Sequence, residues 1–357
     1  MRAGEARDSR LASLAGRRAG ARSARLAALV ALVSVAAGCG SSSGGGSCSA
    51  VLDVGFQVIE YTGGLKAALW YPTTATASTF AYPGAVGIVG SVAQNAGLAR
   101  CARFPLVIFS HGDGGCGTQS IVLTEELARH GYIVAAPDHA DALCSVDGGP
   151  SRGPDTASEP PFTAPDRFTD QSYIGRKQDV ETLLAFLLDD PGYAVSIDAK
   201  HVAIAGHSLG GYTGTALTGG WSSWKDDRFR AALLLSPYIQ PFLIQGTIPA
   251  VHVPVMYQGG TLDVGVTPFV AVPTGAYALS NPPKYFADLR AATHFEWTNT
   301  ACVSAPKVAD CLSRDPNAQL IVDYGTAFLD QYLKGVDQPL LGSAGDGLAE
   351  YRADAGG

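Results

Sequence analysis

Gly206-His207-Ser208-Leu209-Gly210-Gly211 follows directly on the run His201-Val202-Ala203-Ile204-Ala205, and no other segment restricts the fold of this chain as strongly. An apolar, β-branched run passing through G-x-S-x-G into the stretch Tyr212 to Leu217 reads as a buried strand that turns sharply into a helix, with a serine at the apex. The glycines have a steric reason. The apical residue adopts a strained backbone conformation, and a side chain two positions before or after it would collide with the neighbouring strand or helix. The same geometry lifts the Ser208 hydroxyl clear of the sheet. Alone, G-x-S-x-G is also a common glycine-rich turn; the strand before it and the helix after it favour a nucleophile.

The rest of the body agrees with a strand of that kind. Phe104 to Ser110 is almost continuously apolar, as strands buried on both faces of a parallel sheet are. The spacing predicts a helix over Gln119 to His130, a strand over Tyr132 to Pro137 and an amphipathic helix over Arg176 to Leu188. Further strands are expected at Arg230 to Ser236, Val253 to Gln258 and, as the last, Tyr285 to Ala291, before a closing helix from Gln319 to Leu333. At the front, Val51 to Tyr61 and Leu65 to Tyr71 look like paired edge strands joined at Gly63-Gly64. Thr73 to Leu98 has no clear period and reads as loop with one short element. Such alternation implies an α/β fold with a mostly parallel sheet and helices on both faces, and right-handed crossovers gather the strand-to-helix loops at one edge. No repeat or linker divides the body, so one catalytic domain is expected over 48–350. The polar, Pro- and Gly-rich stretch 138–168 is either a cap loop over the active edge or a solvated insertion.

A serine hydroxyl needs a base to take its proton, and the base needs a third group to hold its tautomer. His294 lies just beyond the expected last strand, at the edge where the elbow should be, and is the expected base. His130, His201 and His252 fall elsewhere, and His207 inside the elbow should point away from Ser208 as a packing or hydrogen-bonding residue. Asp263, in Gly259-Gly260-Thr261-Leu262-Asp263, follows an apolar strand through a glycine turn and is the expected orienting acid, with Asp138 in reserve. Two backbone N–H groups should meet the charge of a tetrahedral intermediate. These are assigned to Leu209, next to the nucleophile, and to Asp113 in His111-Gly112-Asp113-Gly114-Gly115, its carboxylate turned outward or hydrogen-bonded. Trp221, Trp224, Tyr238 and Trp297 either line a cleft or pack the core and rim, with Trp221 and Trp224 expected on an exposed loop.

The first 38 residues differ from the body. Seven arginines precede an apolar run, Leu26 to Ala37, too short to span a bilayer and ended by small residues, as in an export signal peptide. Ala36-Ala37-Gly38-Cys39 resembles a bacterial lipobox, although leucine is commoner where Ala36 stands. The chain is therefore expected to be a lipoprotein, attached to the membrane only through Cys39, or a plainly secreted protein. A Gly/Ser tether over 39–47 would hold the domain off the surface. Setting Cys39 aside leaves Cys48, Cys101, Cys116, Cys144, Cys302 and Cys311, an even number that suggests disulfides in an exported chain. Order along the chain favours Cys302 with Cys311, and then Cys116 with Cys144 and Cys48 with Cys101. Without C-x-x-C spacing or a histidine cluster no metal site is expected, and no cofactor is implied. Beyond residue 38 the chain carries 18 basic and 30 acidic residues, so nucleic acid is an unsuitable partner.

Phe109-Ser110-His111-Gly112, Gly206 to Gly211, the Gly260 to Asp263 loop and His294-Phe295 together resemble the α/β-hydrolase superfamily. Within it the chain is similar to the group of platelet-activating-factor acetylhydrolases and dienelactone-hydrolase-like proteins, which includes bacterial polyester-degrading and lipase-like enzymes. The resemblance runs from Val51 to Leu333. It implies acyl transfer to water through a serine ester, with Ser208 as nucleophile, His294 as base and then acid, Asp263 as orienter, and a small-molecule, lipid or polymer ester as substrate. An amidase or peptidase could use the same groups, and a noncatalytic surface binding protein is the third reading. The chain departs from the group at Asp113, where acetylhydrolases usually carry an apolar residue, and at Ser208, where dienelactone hydrolases carry cysteine. Polyester-degrading members often have methionine where Leu209 stands.

Overall fold

The computed structural model describes Cys48 and residues 51–83, 87–153 and 156–356; the expected export signal 1–38, the expected lipidation site Cys39 and the expected tether 39–47 lie outside the described residues. The strands are β1 (Asp53–Tyr61), β2 (Leu65–Thr73), β3 (Ser78–Ala81), β4 (Val89–Gln94), β5 (Phe104–Ser110), β6 (Ile133–Pro137), β7 (Ile197–His207), β8 (Phe229–Leu235), β9 (Val255–Gly260), β10 (Lys284–Leu289) and β11 (Leu348–Asp354). They form one sheet in the order β11-β10-β9-β8-β7-β5-β6-β2-β1-β4-β3. From β6 to β10 neighbours in that order are parallel, while β2 joins β6, and β11 joins β10, antiparallel.

The continuous apolar runs are explained by two cores. Along β5, Val107 and Phe109 enter the core shared with Leu123 and Leu127 of the helix Ile121–Arg129 and with Ile321 and Phe328 of the helix Pro316–Leu329. Leu106 and Ile108 enter the opposite core, with Leu183 and Leu187 of the helix Ile174–Asp189 and Tyr212 of the helix Leu209–Thr215. Side chains alternate across a strand, so a strand covered on both faces is apolar at every position. Burying each such side chain stabilises by about 1.5–3 kcal/mol before entropy is counted. Register then sets the active edge. Ser110 pairs with Gly206, His207 with Leu235, and Leu289 with Gly260, so the loops after β5, β7, β8, β9 and β10 leave the sheet side by side.

Three elements differ from expectation. The stretch 73–98 holds two strands, β3 and β4, which lie outside β1, so β1 and β2 are not an edge pair. They are short, mix small and polar residues with Phe80, Val89 and Val92, and show no clear alternation; Val92 and the neighbouring Ile88 are buried in the adjacent core. The last strand is β11, which follows the closing helix and runs past residue 350; its largely exposed face, with Glu350, Arg352 and Asp354, hides its period. Trp221 and Trp224 are buried. Trp221 donates its indole N–H to the Tyr212 hydroxyl at 2.9 Å and Trp224 donates to the Asp170 carbonyl at 2.7 Å, so both pack beneath the loop before the Ile174–Asp189 helix.

Disulfides join Cys48 to Cys101, Cys116 to Cys144 and Cys302 to Cys311. The second ties the segment after β5 to the loop after β6. No described helix is long and apolar enough to cross a membrane.

Candidate active site

Ser208 stands between β7 and the helix Leu209–Thr215 with φ 55° and ψ −115°, a conformation L-residues seldom adopt. Close packing of backbone explains the glycines. A Cβ on Gly206 would lie 2.3 Å from the Gly210 carbonyl oxygen, and one on Gly210 would lie 1.9 Å from the Ser110 carbonyl oxygen. The turn is held by Ser208 N–H donating to the Leu235 carbonyl at 3.0 Å.

The hydroxyl of Ser208 is 3.0 Å from Nε2 of His294. On the far side of the ring, Nδ1 lies 3.2 Å from Oδ2 of Asp263. Asp263 is buried, which raises its carboxyl pKa, but donors from His294, Ser236 and Thr267 reverse this and hold it below its ordinary value. It is therefore a carboxylate wherever the imidazole can act as base. This arrangement can pass a proton from hydroxyl to imidazole while a fixed negative charge faces the imidazolium so formed.

Two groups here, Ser236 and Gln119, escaped the sequence. Ser236, directly after β8 with φ 41°, donates its hydroxyl to Asp263 Oδ2 and lies 2.9 Å from His294 Nδ1. His207 is a buried, hydrogen-bonded residue at the border of the cleft, and burial pushes its pKa down to about 3, so it is neutral. Its Nε2–H donates to the His294 carbonyl at 2.8 Å, and Nδ1 accepts from the Gln119 amide at 3.0 Å. His207 thus holds the backbone of His294. Ser236 had a signal, being the last residue of an apolar run beside the elbow strand; Gln119 had none.

On the other wall, Gly112 N–H donates to Gln119 Oε1 at 2.9 Å, Gly115 N–H donates to the Gly112 carbonyl at 3.1 Å, and Gly114 has φ 67°. Asp113 lies at the exposed tip of this turn; partial burial and the charge of Asp141 raise its carboxyl. Leu209 opens the helix after Ser208, where an N–H has no carbonyl four residues earlier within the helix. Asp138, the reserve acid, is spent elsewhere: it accepts from Gly117 N–H and Val146 N–H, both at 2.9 Å, and from the Ser145 hydroxyl.

Between these walls lies a cleft of about 610 Å³ that reaches Ser208 and His294. Its border includes the Cys116 to Cys144 bridge, Tyr238, Phe295, and Phe162 and Thr163 from the 138–168 loop. Phe162 packs edge-on against Tyr238 with ring centres 5.0 Å apart. Trp297 is not a cleft residue; it is buried and donates to Gln258 Oε1 at 2.9 Å. Among the described residues no group of three or more His, Cys, Asp or Glu side chains is arranged to hold a metal ion.

Comparison with known proteins adds the following. The sequence profile of the family described as Alpha/beta hydrolase family matches residues 107–352, and that of Platelet-activating factor acetylhydrolase, isoform II, matches residues 57–147. A platelet-activating factor acetylhydrolase of Cavia porcellus is 29% identical over 170 residues, covering 41% of this chain and 38% of that protein. One of Bos taurus is 29% identical over 175 residues, covering 42% and 38%. The match thus spans about two-fifths of the length of these relatives. A solved ferulic acid esterase of Streptomyces cinnamoneus superposes with a TM-score of 0.60 at 19% identity, over 86% of this chain and 98% of that one, a likeness of fold.

Proposed function

The chain belongs to the alpha/beta hydrolase family, and from that premise we propose that it is a serine carboxylic-ester hydrolase of short to medium acyl esters, working through Ser208, His294 and Asp263. The observation that carries this is the unbroken line from the Ser208 hydroxyl through both nitrogens of His294 to Asp263, at 3.0 and 3.2 Å. In the first half-reaction Ser208 Oγ attacks the ester carbonyl carbon as its proton passes to His294 Nε2. The carbonyl oxygen becomes an oxyanion facing the Asp113 and Leu209 amides. Collapse of the adduct expels the alcohol, which takes the proton from His294 and leaves an acyl-serine. Water then repeats the sequence, losing a proton to His294, and releases the carboxylic acid and free Ser208.

An open cleft of about 610 Å³ suits an ester whose acyl and alcohol parts both extend from the reacting carbon. The acetylhydrolase relatives support an ester or lipid-type substrate. Export, with lipid attachment at Cys39, is part of the same proposal, and the three disulfides support an oxidising compartment.

The test is a p-nitrophenyl ester series from acetyl to palmitoyl, with the matching p-nitroanilides and Ser208→Ala alongside. Ester turnover should exceed anilide turnover, and Ser208→Ala should lose about 10⁴-fold or more in kcat. A steep fall beyond butyryl would indicate a closed acyl pocket, and a flat profile an open one. Full activity in Ser208→Ala would refute the mechanism.

A further inference from the structure

Behind the segment 111–115, on the side away from the cleft, lies a buried polar network whose centre is Arg176. On the Ile174–Asp189 helix Arg176 shares its stripe with Val180, Leu183, Leu184 and Leu187, so it points into the protein, and it is 2% exposed. Its Nε and Nη2 bind both oxygens of Asp141, at 3.0 and 2.5 Å. Burial alone would raise the Asp141 carboxyl, yet the guanidinium holds it well below the usual carboxylate range. With the charge balanced in this way, the remaining N–H groups face the loop. Nη1 donates to the His111 carbonyl at 2.7 Å and the Ser110 hydroxyl at 3.2 Å, and Nη2 donates to the Gly112 carbonyl at 3.2 Å.

The surrounding donors agree on one orientation. His139 N–H donates to His111 Nε2 at 3.0 Å, so the His111 proton is on Nδ1, which donates to the Gly112 carbonyl at 2.7 Å. His139 is 3.1 Å from Asp179 through Nδ1 and 2.9 Å from the Ser110 hydroxyl through Nε2. The Gly112 carbonyl is thus held from behind by Arg176 and His111 and in the turn by Gly115. In a trans peptide the C=O and the following N–H point in opposite directions. A carbonyl drawn back toward Arg176 turns the Asp113 N–H toward the cleft.

Building on the esterase reading above, we infer that Arg176 is a positioning residue: it fixes the Gly112–Asp113 peptide so that the Asp113 amide meets the oxyanion. Its contribution appears only once negative charge has formed on the carbonyl oxygen, so it belongs to kcat and not to KM.

Arg176→Lys keeps a charge opposite Asp141 but lacks the planar fork that reaches two carbonyls. It should lower kcat on p-nitrophenyl acetate about 10–100-fold, the cost of a misplaced donor, with KM within about threefold and the pH dependence of kcat/KM unchanged. Affinity for phenylboronic acid, which forms a tetrahedral adduct on the serine, should fall by a similar factor. The double variant Arg176→Met with Asp141→Leu removes both buried charges together, avoids a lone carboxylate and should show the same kcat loss. A kcat within about threefold of wild type in either folded variant would overturn the inference, as would a loss confined to KM with boronate affinity intact. Ser208→Ala, measured alongside, separates the two levels. If it kept activity the esterase reading itself would fail, whereas an inactive Ser208→Ala with fully active Arg176 variants would refute only the positioning role.

Discussion

Ser236 gives His294 a second partner on the Asp263 side, so the ring is held by two neighbours instead of one. Loss of its hydroxyl would leave Asp263 with the His294 and Thr267 donors and free the ring to swing. Ser236→Ala should therefore lower kcat about 3–30-fold with little change in KM, read by steady-state kinetics on p-nitrophenyl acetate; wild-type kcat would show that Asp263 alone suffices. His207 was read from the sequence as a packing or hydrogen-bonding residue, and it does bond, but its partners were not legible. Which way an elbow side chain turns depends on what the neighbouring loops offer, here the His294 carbonyl and Gln119. Arg176 was legible in principle, because an arginine in phase with Val180, Leu183 and Leu187 must enter the core.

Among the elements, the central strands were the most legible, since burial on both faces leaves unbroken apolar runs. The edges were not. β3, β4 and β11 are short or half-exposed, and their composition is set by solvent as much as by pairing. One consequence is measurable in the β10 to β11 ladder, where Asp288 pairs with Glu350. Burial, and then the charge of Glu350, push the Asp288 carboxyl up to about 6, and its Oδ1 has no hydrogen-bond partner. A carboxyl raised in the folded state binds its proton more tightly there than in the unfolded chain. Stability from this site is therefore lost as pH rises from about 4 to about 6. Asp288→Asn should stabilise at pH 7.5 by about 1–2 kcal/mol, a value discounted for partial exposure, and change little at pH 4. Denaturant melts at the two pH values would show this, and equal effects at both would contradict it.

Across the whole molecule, buried histidines give the opposite pH dependence. Burial pushes His207 down to about 3 and lowers His111 and His139 as well, so these rings bind protons less readily in the fold than in the unfolded chain, which takes them up below about 6.5. The unfolded chain then holds more protons, and stability should fall by several kcal/mol as pH drops from about 6.5 toward 3. A thermal midpoint flat over that range would contradict it. The disulfides act on the unfolded chain, and the closed spans of 53, 28 and 9 residues suggest contributions of about 4, 3.5 and 2.5 kcal/mol. Dithiothreitol should lower the melting temperature, most of all through Cys48 to Cys101; no change would show that the bridges add little. The fold class was legible because the parallel core is a property of pattern, whereas cleft shape depends on loops, where pattern carries little information.

In the proposed reaction an acyl group passes through Ser208. Acid-quenching the protein during turnover of p-nitrophenyl acetate and mapping the peptides by mass spectrometry tests it most directly. An acetyl group on the peptide containing Ser208, and none on the corresponding peptide of Ser208→Ala, is the predicted result; hydrolysis proceeding with that peptide unmodified would contradict it.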